Sequence, residues 1–465
     1  MVSSSFPDFY HNDDKESFAF ETCRERWPKI LNDCIDDIKL ALSKDQKYDA
    51  SQADQIIDGF NSLIKNMANG DKLTDFPPEI ITLIPNLQSF NDSLAKFATE
   101  GEKLTWLTAP WLFTECYLYR RIDALIKLQP SWKDFDIFED KKQKSFQSTA
   151  PAVYELAKRY QSLHQESFSS GEKLNDQALK SLFKEFIDVC LWGNKIDLSL
   201  LANKSQDEVH AGQTAEKRIE AEKNIISNDT NQVWDYLVKL DQGRTHAKRM
   251  DFVLDNSGFE TFTDLIFSLF LLDAQITETV VIHCKTRPWM VSDTMIKDID
   301  ILLDDLVDQS FFPESGAALQ FIHSKLETYI KQGNIKLTDS EFWTIDLDYW
   351  HIDGGDASQL ASSLYGDLIK SDLIFIKGDL NYRKTTADRK WDKTTPFVNA
   401  IGALSSNGLK IVSLRTCKAD VCVGLPRGLD EKLSEEWHKS TGEIGGLWCS
   451  SGNWAVISFS EGNAK

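Results

Sequence analysis

The order of apolar and polar positions divides this chain in two. Between Ser17 and about residue 245 apolar residues recur at helical spacing, and the first stretch puts Trp27, Ile30, Leu31, Cys34, Ile35 and Ile38 on one core-facing side. Asn69-Gly70 and Pro77-Pro78 punctuate the segments that follow. Leu104 to Ile126 predicts an aromatic-rich helix with Glu115, Arg120 and Arg121 among its rings. It reads as packing, with a pocket edge lined by Glu115 or an arginine as the alternative. Leu179 to Trp192 predicts a further helix and runs toward Asn194 and Asp197, which read as buried hydrogen-bonding groups or as support for a site. Lys204 to Asn228 is densely charged and predicts a solvated connecting helix, while the polar, acidic residues Met1 to Glu16 read as a mobile tail.

From about Lys248 the period changes. Short β-rich runs (Phe252 to Leu254, Val280 to His283, Leu373 to Ile376, Leu409 to Leu414, Trp454 to Phe459) alternate with helical stretches. That alternation predicts a mostly parallel sheet with helices on both faces. The chain therefore divides into a tail (1–16), a helical region (17–245) and an α/β region (246–465). Phe342 to Ile352 fits neither period.

In a parallel sheet the residues following each strand gather on one edge, where open α/β folds bind their ligands. Asp255 and Asn256 follow the first run, and Ser257 with Glu260 forms an S-x-x-E capping box ahead of the amphipathic stretch Thr261 to Leu272. After the second run the loop CKTRPWMVSD delivers Asp293 just before a helix over Thr294 to Leu306. KGDLNYRK, with Lys377, Asp379, Asn381, Arg383 and Lys384, follows the third, and Arg415, Thr416 and Lys418 end the fourth. Two carboxylates and an amide are hard donors for a divalent ion that would also bind a phosphate, and Lys418 and Arg383 suit the remaining phosphoryl oxygens. Each part has a plainer reading. Asp255 to Ser257 turn a chain and cap a helix, Asp293 starts one, KGDLNYRK is a charged turn, and Lys418 is a solvated strand end. His283 reads as structural.

Charge narrows the ligand. At 465 residues with a formal charge of -20 the chain repels nucleic acid and anionic membranes, so a small phosphorylated substrate in a local cationic pocket is expected. The eight cysteines are scattered without a C-x-x-C pair, which suits reduced thiols in the cytoplasm or nucleus, and neither a signal core nor a spanning apolar run is present. No P-loop, G-x-G-x-x-G or G-x-S-x-G motif occurs, and no obligate protein partner is evident.

The motifs RWP (26–28), WLFTECYLYRR (111–121), LWGN (191–194), FVLDNSGFE (252–260), MVSD (290–293), KGDLNYRK (377–384) and RTCKAD (415–420) occur in this order. In them the chain resembles the metal-dependent damage-control phosphatases, eukaryotic subfamily III, marked by Arg-Thr-x-Lys. The resemblance implies a three-layer α/β/α sandwich preceded by an all-helical N-terminal region, with a metal site on Asp255, Asn256 and Asp293. It implies a sugar-phosphate pocket lined by Asp379, Leu380, Asn381, Tyr382, Arg383 and Lys418. Family members hydrolyse ketose phosphates such as fructose 1-phosphate and fructose 6-phosphate with manganese, cobalt, nickel or magnesium. Asp255 would be the nucleophile, through a phosphoaspartate, or would orient an attacking water. A related animal protein has been described as an S-adenosylmethionine-dependent protein-glutamate methyltransferase, with the position of Glu260 given to that cofactor. Methyl transfer, metal-assisted carbon–carbon cleavage of fructose 6-phosphate, and non-catalytic binding through Trp106 to Tyr119 are the rival readings.

Overall fold

Seven strands form the one sheet among the described residues, in the order β1-β7-β6-β5-β2-β3-β4. They are β1 (Ile225–Asn228), β2 (Arg249–Val253), β3 (Thr279–Cys284), β4 (Ile335–Asp339), β5 (Leu373–Lys377), β6 (Ile411–Thr416) and β7 (Ala455–Ser460). The structure is a computed structural model and describes residues 6–169, 174–193, 223–241, 248–314 and 316–463. All neighbours pair in parallel except β6 and β7. The five strands from β6 to β4 therefore end on the same edge. From β2 the chain moves outward through β3 and β4, then returns to place β5 on the other side of β2. The carboxyl ends of β2 and β5 thus flank the topological switch point, where an open parallel sheet leaves a crevice.

Period-two alternation sends each strand's residues into two separate cores. Met250 and Phe252 of β2, with Leu373 and Phe375 of β5, pack under the helices Ala150–Ser167, Asp176–Trp192, Phe259–Asp273 and Ala317–Gln332. Val253, Ile374 and Ile376 face the opposite layer, built from the helices Trp27–Lys44, Ala50–Asn69 and Trp111–Lys127 and the 3-10 turns of Glu341–His351. The result is the expected α/β/α sandwich behind a helical N-terminal region. Of the helices before residue 193, Ala150–Ser167 and Asp176–Trp192 join Phe259–Asp273 and Ala317–Gln332 in closing the second core.

Several local expectations change. The acidic N-terminal stretch is tied down over residues 6–16: Phe9 bridges Arg389, His11 bridges Pro110, and Asn12 is fully buried. Ile225 to Asn228, read as the end of a charged helix, pairs with β7 as an edge strand. KGDLNYRK is a helix, Gly378–Thr385, and Phe342 to Ile352 contributes two 3-10 turns. Asn194, Asp197 and residues 204–222 lie outside the described residues, as does the division at 245/246. No described helix is long and apolar enough to cross a membrane.

Candidate active site

Asp255 leaves the end of β2 with only 5% of its surface exposed, and the switch point crowds it. Gly378 opens the helix after β5 at φ +82°, and a Cβ built on it would lie 1.9 Å from Asp255 Oδ2. Only glycine lets that helix start against the carboxylate. Asn256 Nδ2 donates to Asp255 Oδ2 and to Glu260 Oε2, both at 2.8 Å, while its Oδ1 accepts from the Ser292 hydroxyl. Ser257 and Glu260 do not form the expected capping box. The N-cap is Gly258 at φ 74°, and Glu260 points back into the site, its Oε1 3.2 Å from Lys377 Nζ. Both oxygens of the residue linked by resemblance to a methyl-donor cofactor are therefore engaged within the protein.

Asp293 arrives from the β3 side. Its backbone bridges Asn256, Thr294 N donates to Asp255 O at 2.8 Å, and Ser257 N donates to Ser292 O at 2.7 Å. The loop turns through Met290 (φ 44°) and Val291 (φ 72°), and a β-branched residue in that region is strained. The following helix starts at Ile296, so Asp293 is a loop residue and not part of a helix N-terminus. Asp255, Asn256 and Asp293 are thus brought together as the strand-end reading expects.

Burial drives the Asp255 carboxyl well above the ordinary carboxylate range, with Asp293 and Glu260 pushing the same way against Lys285 and Lys418. Burial likewise pushes Asp293 up to about 6, opposed by Lys285. Asp264, beneath Glu260, is also pushed up to about 6 by burial, opposed by Lys377 2.7 Å away. Asp255, Asp293, Glu260 and Asp264 are all buried, and the fully buried ammonium groups paired with them are Lys285 and Lys377. With all four carboxyls ionised, as a bound cation would favour, that is an excess of two negative charges. Asp293 Oδ2 is met by the Lys285 ammonium at 3.1 Å. A divalent cation held by Asp255, Asn256 and Asp293 fits both the donor set and the excess charge.

The KGDLNYRK side chains are spent mainly on construction. Asp379 Oδ1 accepts from Arg415 Nε at 2.7 Å and from Lys418 N at 3.0 Å, which ties the 378–385 helix to the Arg-Thr-x-Lys turn. Asn381 donates to Lys377 O and Leu254 O and accepts from the Tyr349 hydroxyl. Leu380 is buried, and the Tyr382 hydroxyl accepts from Val423 N. Arg383, expected to grip a phosphoryl group, instead clasps Asp388 at 3.1 and 2.9 Å and Glu115 at 2.6 Å, over the Trp111 ring. Its position at the far end of the helix gives its fork to the helical layer. Among the described residues, two further acid–histidine groupings, Asp8–His11–Glu102 and Asp251–His283–Asp367, stand elsewhere. Arg249 already spans both carboxylates of the latter, so His283 is structural as expected. Sequence reasoning passed over Lys285 and Gly378, whose roles depend on which strands are neighbours.

The family model described as the damage-control phosphatase ARMT1-like domain matches residues 22–433. The protein named damage-control phosphatase ARMT1 of Danio rerio is 32% identical over 459 residues, covering 96% of this chain and 95% of that one. Its namesake in Homo sapiens is 32% identical over 448 residues, covering 93% and 96%. A crystal structure of a DUF89 family protein from Pyrococcus horikoshii aligns over 74% of this chain and 88% of its own, with 12% identity and a TM-score of 0.35.

Proposed function

This chain belongs to the damage-control phosphatase ARMT1-like domain family, and from that premise we propose that it hydrolyses ketose phosphates such as fructose 1-phosphate and fructose 6-phosphate. It is a phosphatase of a metal-dependent family; manganese, cobalt, nickel or magnesium is the proposed ion. One observation carries the reading: a buried acidic centre with four carboxyls against two paired ammonium groups lies beside a helix start that no side chain caps. The first N–H groups of the 378–385 helix suit the phosphoryl oxygens, and the Lys418 charge, which already acts on Asp255, adds to their pull.

Asp255, Asn256 and Asp293 would hold the ion, which when bound supplies Lewis-acid polarisation of the phosphoryl group. Asp255 then either attacks phosphorus, displacing the sugar oxygen and forming a phosphoaspartate, or orients the water that attacks. Glu260 fixes the Asn256 amide by accepting from its Nδ2. Chiral phosphate esters separate the routes, since one displacement inverts phosphorus and two retain its configuration. The reading itself is tested by phosphate release from a panel of sugar phosphates against a panel of divalent metals. Triose products without free phosphate would favour carbon–carbon cleavage instead, and heat of binding with S-adenosylmethionine would favour methyl transfer. Location in cytoplasm or nucleus belongs to the same reading and is supported by eight free, buried cysteines. Recovery of the protein in secretory fractions would count against it.

A further inference from the structure

Lys285, the first residue after β3, is 1% exposed and lies at the centre of the acidic site. Its Nζ donates to Leu254 O at 2.8 Å and stands 3.1 Å from Asp293 Oδ2 and 3.5 Å from Asn381 Oδ1. Its backbone N donates to Thr294 O at 2.8 Å, just beyond Asp293. One side chain therefore joins the end of β2, the loop carrying Asp293 and the 378–385 helix. An ammonium has three hydrogens, and three protein oxygens surround this one, so it is placed to shape the site and not to receive substrate.

We propose that Lys285 is a positioning residue that sets the metal selectivity of the site, by holding one carboxylate oxygen of Asp293 and leaving the other for the ion. The proposal rests on the metal-dependent reading given above. A small octahedral ion such as Mn²⁺ is satisfied by one oxygen from each of several donors, whereas Ca²⁺ takes six to eight oxygens and makes use of bidentate carboxylates. Tying up Asp293 Oδ2 therefore costs calcium a ligand that manganese does not need. The fixed positive charge repels both dications alike, so that contribution cancels in the ratio of their affinities.

The experiment is calorimetric titration of the full, metal-stripped chain with MnCl₂ and with CaCl₂, without substrate, for the wild type, Lys285→Met and Lys285→Gln. The glutamine variant keeps an N–H donor for Leu254 O should the methionine variant fail to fold. Wild type should bind Mn²⁺ more tightly than Ca²⁺, and the variants should lower that preference by about tenfold, the lower end of what outer partners of metal ligands contribute. An unchanged preference in a folded variant overturns the role of Lys285 while leaving the metal site standing. A wild type that binds neither ion removes the metal reading and this proposal together. Failure of both variants to fold overturns the selectivity role in favour of a purely structural one.

Discussion

Replacing Gly378 by alanine probes the site without removing any side chain proposed to take part in the chemistry. The new Cβ would lie 1.9 Å from Asp255 Oδ2, 2.2 Å from Cγ and 2.6 Å from Cβ, whereas ordinary contact begins at 3.4 Å. Something must yield by about 1.5 Å, and because the whole Asp255 side chain is in the way, a twist of its tip does not relieve the clash. Asp255 is held by Asn256 Nδ2 on its carboxylate and by Thr294 N on its carbonyl, so the carboxylate must leave its place or the helix start must back away. Either way the distance between the proposed metal ligand Asp255 and the helix start proposed to hold the phosphate changes by more than 1 Å, a misplacement worth about 10²-fold in rate. The φ of +82° adds about 1–2 kcal/mol of backbone strain for a residue with a Cβ, too little to unfold a chain of this size. Gly378→Ala should therefore lose about 10²-fold in metal-dependent phosphate release and bind Mn²⁺ more weakly by calorimetry, with a circular dichroism spectrum like the wild type's. Turnover within about threefold of wild type in a folded Gly378→Ala protein would refute the reasoning, because Asp255 could not then be both where the structure puts it and essential.

Other perturbations address other parts of the site. Asp255→Ala should abolish turnover with the fold intact, and retained metal-dependent activity would remove Asp255 from the mechanism. Lys418→Ala should cost about 10²-fold in turnover if Lys418 neutralises the phosphoryl oxygens as proposed, and a loss of melting temperature without a loss of turnover would assign it a structural role instead. Arg383→Ala should instead destabilise the protein by about 3–5 kcal/mol in urea, because Asp388 and Glu115 would be left buried without their partner. Asp293 and Asp264, each raised to about 6, contribute stability present below the unfolded value near 3.8 and lost as pH rises through about 6. The metal-free chain should thus lose this contribution toward neutral pH, whereas Mn²⁺ needs the ionised carboxylates. The melting-temperature gain on adding Mn²⁺ should accordingly be larger at pH 7.5 than at pH 5.5, and a gain equal at both would argue against carboxylate ligands.

The strands that carry the site were readable because central parallel strands are buried on both faces and leave dense apolar runs such as Leu373 to Ile376. The two strands missed, β1 and β4, are the sheet's edges, where the half-buried Ser227 and the exposed Lys336 dilute the pattern. Ser257 and Glu260 carry a capping signature, yet the buried Lys377 offers Glu260 a partner that a local motif cannot anticipate. The linear order of residues by itself determined the covering helices, the parallel class and the acid–amide pair that ends β2, because hydrophobic period and residue type act over a few neighbouring positions. Only the tertiary structure decided that β5 returns beside β2, that Gly378 therefore meets Asp255, and that Lys285 reaches Asp293. The first two join residues more than 100 positions apart, and the third depends on how one loop folds back, because buried charges choose their partners by distance through the fold.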